Sequence, residues 1–174
     1  MLSLNLAKIR TADERVEREY EPETVGYDPD ICRAVAPVSL AFDVHKDKNT
    51  FHLVGRVATV LELGCSRCLE SFQVPVDVPF DLRYQPRVAE AGGGERELGD
   101  RDFDTALYDN DEIDLGQLMQ EQCYLALPMK PLCTEGCKGL CASCGTNLNK
   151  ATCTCTTQWE DPRLAALRAL KKES

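Results

Sequence analysis

Eight of the ten cysteines in this 174-residue chain fall into four close pairs: Cys65-x2-Cys68, Cys133-x3-Cys137, Cys141-x2-Cys144 and Cys153-x-Cys155. A tetrahedral zinc takes sulfur ligands at about 2.3 Å, and one tight turn can present two of them from a single segment. Two such turns complete a site, so four turns predict two structural Zn2+ sites. One partition places Cys65, Cys68, Cys133 and Cys137 around one ion, joining the first half of the chain to the second. Cys141, Cys144, Cys153 and Cys155 then form a local site. Spacing alone leaves another partition open, in which the 133–155 cluster holds a single zinc and Cys65 and Cys68 stay unpaired. Gly145, directly after Cys144, and Gly136 and Gly139 around Cys137 give the backbone freedom to curl its amides toward sulfur. Pro131 stiffens the approach, and Lys138 and Lys150 bring positive charge.

A four-cysteine site is closed. It has no coordination position for water or substrate, so it is structural in kind. Its binding free energy, on the order of 10–16 kcal/mol, is comparable to the stability of a whole domain.

Hydrophobic residues at 43% and charged residues at 28% describe a soluble globular chain. The most apolar run, Val57 to Leu63, is short and broken by Thr59 and Glu62, which excludes a membrane-spanning helix there. The opening Met1-Leu2-Ser3-Leu4-Asn5-Leu6 alternates and then turns charged, unlike a signal peptide. The expected setting is therefore the reducing cytoplasm, where clustered cysteines hold metal more often than they form disulfides.

Twenty basic residues against 29 acidic ones, a net −9, exclude a broadly basic nucleic-acid glove but not a local patch. From Glu90 to Asp114 ten acids stand against two arginines. With the Ala91-Gly92-Gly93-Gly94 break, 87–112 reads as an acidic solvated loop in which Phe103 and Leu107-Tyr108 anchor a short strand. Arg163, Arg168, Lys171 and Lys172 leave a small basic face at the end of the chain, able to meet phosphate or an acidic partner.

The fold class expected is α+β: an antiparallel sheet, a packed helix and a cysteine-rich, zinc-binding C-terminal segment. Residues 1–86 form the mainly β region and 113–174 the helix, cysteine segment and last helix, one domain together. Val38, Leu40, Phe42 and Val44 alternate with polar neighbours, Phe51, Leu53, Gly55 and Val57 continue the period, and Phe72 to Tyr84 repeat it seven times. Lys46-Asp47-Lys48-Asn49 reads as the hairpin tip between the first two runs. Pro75 and Pro79 on the polar side of the third place it at an edge or a bulge. Asp114 caps a helix with Gln117 three residues on, as in a capping box. Leu115, Leu118, Met119, Gln122, Cys123 and Ala126 follow helical spacing, and Pro128 ends it. A last helix starts at Asp161-Pro162, with Trp159 packed before it. Cys32 and Cys123 read as buried thiols.

Catalytic signatures are missing from the sequence. His45 and His52 flank the hairpin on polar-facing positions and read as exposed strand residues. There is no H-E-x-x-H, no phosphate-cradling glycine loop and no nucleophile elbow.

Cys65-Ser-Arg-Cys68-Leu-Glu-Ser-Phe72, leading into the long alternating strand, resembles the signature of the YceD-like, large ribosomal RNA subunit accumulation protein family. So do Glu112-Ile-Asp-Leu115 leading through Leu125-Ala-Leu-Pro128, the run Cys133-x3-Cys137-Lys-Gly-Leu-Cys141-x2-Cys144-Gly-Thr-Asn-Leu148-Asn, and the ending Asp161-Pro-Arg-Leu164-x2-Leu167. The resemblance covers the C-terminal two-thirds. It implies a bacterial or organellar protein needed for large-subunit ribosomal RNA to be made, processed or kept stable, and it supplies neither a molecular mechanism nor catalytic residues.

The combined expectation is a non-enzymatic, zinc-binding accessory factor in large ribosomal subunit biogenesis, supporting 23S ribosomal RNA. Its partner would be a ribosomal protein or pre-ribosomal RNA, with no membrane and no small-molecule substrate. The alternative is a thiol redox or metal-responsive regulator using Cys65 and Cys68, with Arg67 between them favouring thiolate. A hydrolase would need an open metal or a carboxylate cluster.

Overall fold

The structure is a computed structural model that describes residues 2–9, 12–87 and 105–155. Strand β1 (Ser3–Asn5) leads through a 3-10 turn (Leu6–Lys8) to β2 (Asp13–Tyr20). A second 3-10 turn (Pro22–Thr24) precedes β3 (Arg33–Ala34), β4 (Val38–Asp47), β5 (Thr50–Gly64) and β6 (Ser71–Pro86). Then come β7 (Thr105–Tyr108), β8 (Glu112–Asp114) and helix α1 (Leu115–Ala126).

The main sheet runs β2-β4-β5-β6-β7, and β3 pairs with β5 at Leu61–Glu62, beyond the end of β4. Period two makes the long strands. On β4, Val38, Leu40, Phe42 and Val44 are buried, and on β5 so are Phe51, Leu53, Val57, Leu61 and Leu63. The β4–β5 hairpin closes at Lys48-Asn49, where Asp47 pairs with Thr50 and Lys48 adopts φ +55. β6 lies along β5 from Phe51↔Tyr84 to Gly64↔Ser71. Its other side is covered by β7 only from Arg83 to Pro86, so Pro75 and Pro79 sit where β6 is a sheet edge among the described residues.

Two expectations need correction. The sheet is mixed, because β7 runs parallel to β6, from Arg83↔Thr105 to Pro86↔Tyr108. Parallel neighbours need a crossover of about a dozen residues or more, and 88–104 is long enough to supply one. The capping box is half made. Asp114 accepts from the N–H groups of Gly116 and Gln117 at 2.8 and 3.0 Å, but the Gln117 side chain donates forward to Glu121 at 2.8 Å.

Helix α1 buries Leu115, Leu118, Met119 and Cys123 in the same core as Leu40, Phe42, Leu53, Val57 and Phe80. It stops at Leu127, held extended (ψ 137) ahead of Pro128. Its N-terminal end is strapped by β1, which pairs with β8, and by the Leu115 N–H, which donates to Leu2 O at 2.7 Å. Cys32 and Cys123 are buried, and the Tyr27 hydroxyl donates to Cys123 Sγ at 3.2 Å. Gly55 is required by packing. A Cβ there would lie 2.3 Å from both Ala41 O and Phe42 Cβ, and the Phe42 and Phe80 rings, 6.2 Å apart, flank it from the two neighbouring strands. The expected last helix and Trp159 lie outside the described residues.

Candidate metal centre

The chain turns sharply where β5 ends and β6 begins, and Cys65 and Cys68 occupy that turn. The Leu69 N–H donates to Cys65 O at 2.9 Å, and Leu69 takes φ +61 to close the loop. The Cys141–Cys144 turn repeats the geometry. The Gly145 N–H donates to Cys141 O at 2.9 Å with Gly145 at φ +71. In each C-x2-C pair the residue after the second cysteine is thus left-handed, a conformation glycine takes freely and leucine does not. Gly139 is left-handed as well, at φ +73. Gly136, expected to supply the same freedom, keeps an ordinary φ.

The eight paired cysteines assemble into two quartets. Cys65, Cys68, Cys133 and Cys137 bring their sulfurs within 4.8 Å of one another, and so do Cys141, Cys144, Cys153 and Cys155. Cys65–Cys137 and Cys68–Cys133 are both 3.7 Å apart. This is far outside a disulfide bond, about 2.05 Å, and none of the ten cysteines is in a disulfide. It matches the edge of a sulfur tetrahedron built on 2.3 Å arms, about 3.8 Å. Both quartets can therefore hold a metal ion. In the first, Cys65, Cys68 and Cys137 are buried; in the second, Cys144 and Cys155 are exposed.

Backbone bonds lock the first quartet to the sheet. The Ser66 N–H donates to Pro131 O at 2.8 Å and the Leu140 N–H to Arg67 O at 3.2 Å. The Arg67 guanidinium, expected to favour thiolate between its two cysteines, instead donates to the backbone oxygen of Cys137 at 2.8 Å. A Cβ at Gly139 would lie 3.0 Å from Arg67 O, so that contact also needs glycine. Lys150 pairs with Glu70 across the two segments.

The two quartets are joined by a short polar chain. The Asn149 side-chain amide donates to Cys137 Sγ at 3.2 Å, while its oxygen accepts from the Lys138 N–H at 2.8 Å. Asn149 entered the sequence reading only as the last residue of the run from Cys133, and neither its bond to sulfur nor the Arg67 contact has a local pattern to betray it.

N–H and O–H donors decide which sulfurs ionise first. Backbone N–H groups of Cys68 and Cys133 bring the Cys65 thiol down to about 6. The Thr146 hydroxyl, 3.1 Å from Cys144 Sγ, and the Thr146 N–H lower Cys144 to about 6. Asn149 lowers Cys137, and the N–H groups of Cys144 and Ser143 lower Cys141. Burial raises Cys133, and the adjacent Cys144 sulfur followed by burial raises Cys155 to about 12. Without a cation, each quartet thus keeps some of its protons. A bound divalent ion would draw off the rest, since only thiolates ligate it.

His45 and His52 are strand residues on the outer face of the sheet, with His52 near the opposite end of β5 from Cys65. Among the described residues no helix is long and apolar enough to cross a membrane.

A mixed β-sheet carrying two cysteine quartets, each able to hold a metal ion, defines a class of sheet protein with clustered thiols. Within that class, this chain belongs to the large ribosomal RNA subunit accumulation protein YceD family, whose model matches residues 53–171, from within β5 past both quartets. It is 31% identical over 158 residues to the chloroplastic large ribosomal RNA subunit accumulation protein YCED homolog 1 of Arabidopsis thaliana, covering 79% of this chain and 49% of that one. It is 30% identical over 142 residues to the protein of the same description in Zea mays, covering 68% and 48%. An uncharacterized Mycobacterium leprae protein is 29% identical over 114 residues, covering 65% and 50%. The chain spans about half the length of the curated relatives it matches. No solved structure matches it. The family's description names accumulation of large-subunit ribosomal RNA.

Proposed function

We propose that the protein is a non-enzymatic accessory factor of large ribosomal subunit biogenesis, held in shape by two structural Zn2+ ions, that supports synthesis, processing or stability of 23S ribosomal RNA. The observation that carries this reading is the pair of sulfur quartets, each gathered within 4.8 Å, the first with edges of tetrahedral length. Four thiolates satisfy zinc and leave it no open position, so the ions serve shape and the function lies in what the surface binds. Cys65, Cys68, Cys133 and Cys137 would hold one ion, and Cys141, Cys144, Cys153 and Cys155 the other.

The partner in this reading is a ribosomal protein or pre-ribosomal RNA, met in the cytoplasm, with residues 1–86 and 113–174 acting as one domain. The net charge of −9 favours a basic ribosomal protein, because an acidic surface repels an RNA backbone. Depleting the protein should lower large-subunit ribosomal RNA relative to small-subunit RNA and shrink the large-subunit peak in a sucrose gradient. A variant unable to form the first quartet should fail to restore it. Unchanged RNA levels and gradient profiles on depletion would refute the reading.

A redox regulator built on Cys65 and Cys68 has the lowered Cys65 thiol in its favour. Against it, both sulfurs are buried, and a redox-active thiol must be reachable. Alkylation of Cys65 in zinc-loaded protein would favour the regulator, and full protection the structural role.

A further inference from the structure

At the end of the sheet away from the cysteine quartets, His45 on β4 and His52 on β5 are direct cross-strand partners beside the hairpin tip. Directly opposed residues project to the same face. Their ring centroids are 6.0 Å apart. Each ring has one nitrogen engaged by a carboxylate from an outer neighbour: His45 Nδ1 by Asp13 of β2, and His52 Nε2 by Asp81 of β6, the latter at 2.5 Å. The other two nitrogens, His45 Nε2 and His52 Nδ1, have no hydrogen-bond partner among the described residues. Both rings line an open cleft of about 350 Å³.

We propose that His45 and His52 form a second kind of metal site, a two-imidazole site for a divalent transition ion of the Zn2+, Ni2+ or Cu2+ type. Imidazole suits these ions, whereas calcium and magnesium prefer oxygen. With metal–nitrogen bonds of about 2.0–2.1 Å, the ring centres lie about 3.2 Å from the ion, so two rings sharing one have centroids about 4.5 Å apart at a right angle, about 5.2 Å at a tetrahedral angle and about 6.4 Å when opposite. The observed separation falls in that window. The carboxylates complete the pattern, because a ligating imidazole typically gives its second nitrogen to a carboxylate that fixes tautomer and ring orientation. Asp13 and Asp81 also bring the negative charge that a dication needs. Two cations line the cleft, Lys46 and Arg83, the latter directly across from His52. The Lys46 ammonium is engaged 5.4 Å over the Phe51 ring and 3.4 Å from Ile9 O. Unlike the quartets, two nitrogens leave coordination positions open to water or to a ligand oxygen. This site stands independently of the ribosomal reading.

The test uses untagged full-length protein with its cysteine quartets preloaded with zinc, titrated with Ni2+ by calorimetry while zinc release is monitored. One saturable Ni2+ per chain, with the zinc retained, is the expected result. His45→Asn and His52→Asn should each weaken it at least tenfold and leave zinc content and circular dichroism unchanged. Asp13→Asn should weaken it about tenfold through lost orientation, and Arg83→Ala should tighten it. Undiminished Ni2+ binding in the His45→Asn/His52→Asn double variant, failure of the native chain to saturate below millimolar Ni2+, or Ni2+ uptake matched by zinc release would each overturn the proposal.

Discussion

The side-chain amide of Asn149 donates to Sγ of Cys137 at 3.2 Å, so a residue in the loop of the second quartet supports a sulfur of the first. Groups behind a ligand typically change metal affinity about 10–100-fold. Asn149→Ala should therefore weaken zinc at the first quartet about tenfold and leave the second unchanged. Competition with a chromophoric chelator, read as one weakened ion of two, checks this. Equal loss at both quartets would mean that the two are not separately supported.

Chelation should loosen the molecule unevenly. The buried cysteines of the first quartet form a cluster of their own, apart from the main core of β4, β5, β6 and α1. Stripping metal under reducing conditions should leave the strand and helix signals in circular dichroism largely intact. It should at the same time open the 129–155 segment to limited proteolysis. A cleavage pattern unchanged by chelator would contradict this.

Gly55→Ala should destabilise the protein by about 1–3 kcal/mol, the range for forcing extra atoms into a packed interior. The new methyl would press on Ala41 O and Phe42 Cβ, both 2.3 Å from its position. Denaturant unfolding measures the loss. A neutral outcome would show that β4 can shift away from β5 there.

Leu69 should tolerate glycine with a gain. Its φ of +61 costs an L-residue about 1–2 kcal/mol, while glycine adds about 0.5–1 kcal/mol of unfolded-chain entropy. Its side chain is 73% exposed, so little packing is lost. Leu69→Gly should stabilise the zinc-loaded protein by about 0.5–1 kcal/mol, and Leu69→Val should destabilise it. Reversed signs in paired urea titrations would refute the strain.

Alkali should weaken the fold in a defined window. Burial, with Cys123 and Asp28 nearby, raises the Cys32 thiol to about 11. Because the folded value lies above the unfolded one, about 8.5, the stabilising contribution is complete below that pH. It is lost as pH rises toward about 11. Cys32→Ala should lower stability at neutral pH and flatten its decline between about pH 8.5 and 11. A decline as steep as in the native chain would exclude Cys32 as a source.

The long strands were legible because each keeps one face apolar for many residues, and Asp114 and Pro128 marked the ends of α1 by local backbone chemistry. Of the two partitions of the cysteines that the spacing allowed, the structure gathers the sulfurs in the one joining Cys65 and Cys68 to Cys133 and Cys137. The direction of β7 was not legible: four residues carry too short a pattern, and 88–104 could return the chain either way. The β1–β8 pair spans three residues on each side and shows no period at all. Gly55 looked like one more step in an alternation, since only the neighbouring strands reveal that its missing side chain is needed. Asn149 closed a recognisable run, but its bond to Cys137 lay beyond reading because that partner is set by tertiary geometry.

The separation of 72 residues between Cys65 and Cys137 gives the molecule a timetable during its own synthesis. At about 5–20 residues per second, Cys65 and Cys68 leave the ribosome as a bare dithiol and wait roughly 4–14 s for their mates. The four sulfurs of 141–155 arrive almost together and can close at once. An oxidative burst that catches the nascent chain would therefore injure the earlier pair first, and finished copies would be spared.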